Sequence, residues 1–301
     1  MAGAEKLMNS YSAFCVYTGV KRKSFDKNSR RKSVYCISYL VICSSVRYLG
    51  TVALALLTAG PVLAKTPPPP NLSGTWALKT VMARVLEVPV IGEVESENIA
   101  FAALSVRQSG TEMLIKQKLC RLDIETNSSS LSMKVPRAFT KAFRWDRYAA
   151  KLVYEDGGWR FIRSPLTRVY GARLAKPSSE KLPTLATDER ILDQDSDGKP
   201  AVTLQIQGIV NGRIYFVSRD TVSYAGKVFG DGQRVMGTMR LERERVTVQA
   251  STALLRTSPK SRSHSDARRS TFEMVPIPKG EACRHILREK ARLFIGPRDT
   301  D

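Results

Sequence analysis

The sequence predicts an all-β fold: an antiparallel barrel or sandwich with few short helices and one disulfide. Three observations carry this expectation. From Leu72 onward the dominant spacing of apolar residues is two, as in a strand with one buried face. Turn dipeptides divide the runs, at Ser109-Gly110, Asn211-Gly212 and Asp231-Gly232. Asn-Gly is the strongest of these, because both residues tolerate positive φ. No strand–helix–strand rhythm appears, which disfavours a parallel sheet with crossover helices.

The first 64 residues are expected to address the chain rather than to fold. Residues 47–64 read as a secretory signal peptide: Arg47, then an uncharged Leu/Ala-rich run, then the small residues Val62 and Ala64 before Lys65. The apolar run of 17 residues contains Pro61 and two glycines, short for a bilayer span of about 20. Cleavage would leave a mature chain starting at Lys65, with no transmembrane anchor, exported to the periplasm or beyond the cell. Residues 1–46 form an N-terminal extension with two competing origins. One is a mis-called start, with initiation at Val46. The other is a long leader, in which Ser29-Arg30-Arg31-Lys32-Ser33-Val34 resembles a twin-arginine signal but has Ser33 where that pattern has Phe. The first is favoured.

The full chain of 301 residues carries 48 Lys and Arg against 28 Asp and Glu, net +20. Residues 1–64 hold nine of the basic and two of the acidic residues, so the mature chain has 39 and 26, net +13. The leader also takes Cys15, Cys36 and Cys43, leaving Cys120 and Cys283. Two cysteines in an exported chain predict one disulfide. It would close about 160 residues and contribute on the order of 5 kcal/mol by the chain-entropy argument.

Residues 65–71, with Pro67–Pro70, read as a Pro-rich spacer, residues 72–295 as the β domain and 296–301 as a disordered tail. Within the domain, residues 99–107 and 113–124 form a hairpin about Ser109-Gly110, with Cys120 in its second strand. A polar turn follows at 127–130. Pro136 opens one or two helical turns. Val202, Leu204 and Ile206 alternate with polar residues, and Asn211-Gly212 turns the chain into a strand over 213–218. Residues 224–229 read as a further short strand, 235–241 and 246–250 continue the alternation, and 271–277 is the last long strand before a short helix within 281–294.

Four constellations carry functional expectations. Asn71-Leu72-Ser73-Gly74-Thr75-Trp76 opens the domain. Here the sequence resembles the lipocalin-type β-barrel family, whose first strand begins Gly-x-Trp. The resemblance covers about six residues; it implies that Trp76 closes one end of a barrel holding a small apolar ligand. Asp193-Gln194-Asp195-Ser196-Asp197-Gly198 places Asp193, Asp195 and Asp197 at alternate positions before a glycine, and such oxygens can wrap calcium. The segment resembles Asp-x-Asp-x-Asp-Gly calcium loops, but Leu204 stands where an EF-hand has Glu, and no helix flanks it. Residues 256–270 carry Arg256, Lys260, Arg262, Arg268 and Arg269 against Asp266. They read as a polar loop that could meet acidic polysaccharide or lipid headgroups by charge. No aromatic residue interleaves with them, so specific nucleic-acid binding is not expected. His264 and His285 are the sole histidines, and neither has a recognisable nucleophile context. No catalytic residue is assigned.

The expectation is an exported, non-catalytic β-barrel binding protein. A calcium-stabilised structural or surface-interaction module is the second reading. A carboxylate-dependent hydrolase is the third, since its two acids need no local motif.

Overall fold

The computed structural model describes residues 66–88, 91–143, 145–257 and 260–294. The N-terminal extension, the signal-like run and the tail from 295 lie outside the described residues. In chain order the elements are β1 (Gly74–Val88), β2 (Gly92–Ser109), β3 (Glu112–Thr126), β4 (Leu131–Lys134), α1 (Arg137–Ala142), β5 (Asp146–Glu155), β6 (Gly158–Tyr170), β7 (Val202–Gly208), β8 (Gly212–Phe229), β9 (Arg234–Ala250), β10 (Lys260–Ser263), β11 (Thr271–Ile277) and α2 (Cys283–Leu293). No described helix is long and apolar enough to cross a membrane.

The sheet closes on itself. Hydrogen-bonded neighbours run β8–β6–β5–β3–β2–β1–β11–β9, and β9 pairs back onto β8, so eight antiparallel strands form a ring. Closure satisfies the backbone edges that an open sheet leaves exposed. Two ring strands are shared along one edge. Residues 212–216 of β8 pair with β7, and Ser218–Lys227 pair with β6. In β1, residues 75–81 pair with β11 and 84–87 with β10. β4 adds to the free edge of β7.

Side chains of one parity fill the ring. Trp76, Leu78, Leu104, Ile115, Tyr148, Phe161, Tyr224, Val235 and Phe272 come from all eight ring strands and form one apolar cluster. Burying a large apolar side chain contributes roughly 1.5–3 kcal/mol, and Tyr224 stacks on Phe272 at 4.8 Å between centroids. A second cluster, including Leu86, Val94, Met133, Leu204, Ile206 and Phe216, lies further along the strands and takes Phe139 from α1 as a cover.

Two elements cover the outside. α2 presents Ile286 to Ala77, Phe101 and Ala103 on the outward parity of β1 and β2. The predicted disulfide holds it there: Cys120 and Cys283 are bonded, with Cα atoms 5.1 Å apart. A bulge aims Cys120 outward. Phe101 faces Arg121 while Ala102 faces Leu119, leaving Cys120 as the extra residue. On the opposite flank, residues 171–201 lay Ala172, Leu174, Leu182 and Ala201 against Val217, Val246 and Val248.

Three expectations need correction. Residues 213–229 are one strand rather than two, and so are 234–250. The alternation fades in their middles because the inward positions there are polar: Ser218 and Asp220, Arg243 and Arg245. β6 is hidden for the same reason, its inward positions including Arg163 and Arg168, compounded by an irregularity between Arg163 and Leu166. Residues 256–270 are not an open loop; they include β10, paired to β1, and a 3-10 turn at Ala267–Arg269.

Candidate functional site

Between the two apolar clusters the ring has a polar waist. Its inward positions are Asn98, Gln117, Arg163, Arg168, Ser218, Asp220, Arg243 and Arg245, and they line a hollow of about 160 Å³. A second hollow of about 400 Å³ shares Asn98, Ile124, Leu204, Arg243 and Arg245 with it and adds Arg84, Lys260 and Ser261. Ligand cavities of about 300–1,000 Å³ are usual for small molecules. The first hollow has an apolar side, from Leu119, Leu122, Val135, Phe139 and Phe143.

The waist carries more cations than anions. Asp220, 6% exposed, accepts from Arg243 Nε at 2.8 Å and from Nη2 as well. Arg168 is paired with Asp146. The other three guanidiniums have no carboxylate partner among the described residues. Arg84 donates to the Ser261 hydroxyl at 2.7 Å and to the Ser261 carbonyl at 3.1 Å. Arg163, 2% exposed, lies between the rings of Tyr148 and Tyr224, at 4.3 and 4.6 Å. Its Nε and Nη2 are buried without a hydrogen-bond partner. Arg245 sits over the Phe216 ring at 4.2 Å, its Nε likewise unpartnered.

Electrostatics follow from that inventory. Burial, followed by the nearby charge of Arg243, pushes Arg84 down to about 10 and Arg245 down to about 9. Burial also works against the Arg243 charge, but Asp220 outweighs it and its pKa is raised. Burial and the Asp220 carboxylate push the Tyr170 phenol up to about 12. The waist is therefore a low-dielectric chamber with fixed, incompletely matched positive charge.

The three aspartates lie outside the ring, in the 171–201 segment just before β7. One carboxylate oxygen from each of Asp193, Asp195 and Asp197 comes within 4.8 Å of the others, a group that could hold a metal ion. Positive φ at Ser196 and Gly198 curls the backbone. Asp193 accepts from the amides of Asp197 and Gly198, at 3.1 and 2.9 Å. Asp197 accepts from Lys199 N at 2.9 Å and Thr203 Oγ1 at 2.7 Å. Asp195 is 3% exposed; its Oδ2 accepts from Thr203 N at 3.0 Å, while its Oδ1 is buried with no partner. Burial, then the charges of Asp197 and Asp193, raise its pKa. An orphaned buried oxygen within an all-oxygen donor set fits a hard cation.

The remaining predicted residues fall elsewhere. Trp76 is buried at the start of β1, its indole donating to Leu72 O at 2.8 Å, in the apolar end of the ring. Most of the basic segment is matched by acids of β1 and β2. Lys260 lies 3.7 Å from Glu87, Arg262 2.9 Å from Glu93, and Arg269 2.7 and 3.0 Å from Glu95 and Glu97. Arg268 pairs with Asp266, and Arg256 is exposed. The structure thus does not gather Trp76, the aspartates and the basic segment into one site. It assembles a site from arginines that sequence reasoning passed over. One signal was present: Arg243 and Arg245 continue the parity of Val235, Met239 and Leu241, the inward face of a strand.

No protein-family model and no curated protein sequence matches the chain.

Proposed function

We propose that the chain is an exported, non-catalytic binding protein of lipocalin-like kind, holding a small, largely apolar ligand inside the ring. The observation that carries the proposal is the pair of adjoining hollows at the waist, apolar on one side and polar on the other. This combination is the usual make-up of a small-molecule site. The signal-like run 47–64 motivates export, and the Cys120–Cys283 bridge is compatible with an oxidising compartment.

Calcium is the cation we assign to the aspartate group. It accepts irregular oxygen cages, whereas magnesium demands a tight octahedron. Its role here is structural, neutralising the turn that leads into β7. The matched charges of residues 260–269 give no reason to assign that segment a polyanionic partner.

The uncharged fluorophore N-phenyl-1-naphthylamine tests the ligand reading. Its emission should rise saturably at one site per chain. Leu122→Trp, which fills the hollow, should abolish the rise while near-ultraviolet circular dichroism keeps a folded signature. Failure of the folded wild type to bind either the dye or a twelve-carbon amphiphile would remove the reading.

A further inference from the structure

We infer that the ring's ligand is an amphiphile with an oxyanion head, a carboxylate or a phosphate, and that Arg163 and Arg245 receive that head at the waist. This rests on the cavity reading above and adds its chemistry. Arg163 is almost wholly buried and has two guanidinium nitrogens without a partner. Arg245 has one, and it borders both hollows.

A buried donor without an acceptor is costly, and a buried charge more so. The tyrosine and phenylalanine rings beside these guanidiniums offer a π-face each, which satisfies the charge in part but leaves these nitrogens without a hydrogen-bond acceptor. Asp220 is already engaged by Arg243 and Asp146 by Arg168. The interior thus holds unmatched donors of fixed geometry, and an oxyanion is the partner that a guanidinium fork recognises best. Phe139, Phe143 and Leu122 line the same hollow and offer the tail an apolar wall. A cationic head would leave the donors unmet, and a neutral oxygen would accept from them without balancing the charge.

Displacement of bound N-phenyl-1-naphthylamine by four twelve-carbon amphiphiles tests this. Dodecanoate and dodecyl phosphate should displace the dye at concentrations at least tenfold below dodecanol and dodecyltrimethylammonium. Acetate and inorganic phosphate, heads without tails, should displace nothing at millimolar concentration. Arg163→Met and Arg245→Met should each erase most of the anion advantage, read as the ratio of dodecanoate to dodecanol displacement, a change of selectivity that a misfolded variant could not give. Equal displacement by dodecanol would overturn the inference while leaving the apolar site intact. Should the dye itself fail to bind, calorimetric titration with dodecanoate decides the inference directly; absence of heat and of any thermal shift would overturn it.

Discussion

Replacing Arg245 by methionine should make the ligand-free protein more stable. The wild-type side chain holds a charge in the ring interior, and burial and Arg243 push its pKa from the usual guanidinium range down to about 9. At about 1.4 kcal/mol per tenfold change in proton affinity, keeping it charged at pH 7 costs on the order of 5 kcal/mol. Relaxation of the site around the charge relieves part of this, and the Phe216 contact at 4.2 Å returns roughly 1–2 kcal/mol. Methionine keeps the apolar stem and the contact with the ring but removes the charge. A net gain of about 1–3 kcal/mol is expected, in line with buried charges replaced by apolar residues of similar volume. Urea unfolding of the ligand-free protein at pH 7 measures it directly as a higher midpoint at unchanged slope. A base whose folded pKa is depressed makes the native state bind fewer protons than the unfolded chain above about pH 9, so its penalty is present at neutral pH and fades as pH rises through that value. A loss of more than about 1 kcal/mol in Arg245→Met would refute the reasoning. It would mean that the arginine is a structural tie rather than a charge held for a ligand.

Asp220→Asn leaves Arg243 buried without its counter-charge and should cost about 3–5 kcal/mol, read by the same urea transition; a change below about 1 kcal/mol would show the pair to be solvated. Cys120→Ala with Cys283→Ala opens a loop of sequence separation 163 and should lower stability by roughly 5 kcal/mol, seen in thermal melts beside the wild type under oxidising conditions. Calcium at millimolar concentration should raise the melting temperature, by mass action on the folded state, and Asp195→Ala should abolish the rise; identical curves in chelator and calcium would leave the three aspartates as a hydrated turn. That calcium effect should shrink as pH falls through the raised pKa of Asp195, since protonation removes the charge the cation pairs with.

Some of this protein was already written in local chemistry. Turn geometry is set by a few adjacent residues, so Asn211-Gly212 and Ser109-Gly110 mark hairpins wherever the chain goes. A strand with one buried face repeats every two residues, so Val202–Ile206 and Thr271–Ile277 declare themselves. The Cys120–Cys283 pair followed from counting thiols. The Asp-x-Asp-x-Asp-Gly spacing likewise brings its carboxylates together within one turn. Tertiary structure decided the rest. Whether a sheet closes is a matter of which distant edges meet, and here β1 meets β11 and β6 meets β8 across long stretches of chain. Closure creates an interior, and an interior reverses the meaning of polarity. Asp220, Arg163, Arg243 and Arg245 look like solvent-facing residues in sequence, yet they point into the ring because their parity is that of the core. The alternation signal fades where these residues sit, which hid the middles of β8 and β9 and much of β6. Burial depends on the closed fold rather than on neighbours in the chain, so the residues least legible in the sequence are those that line the cavity.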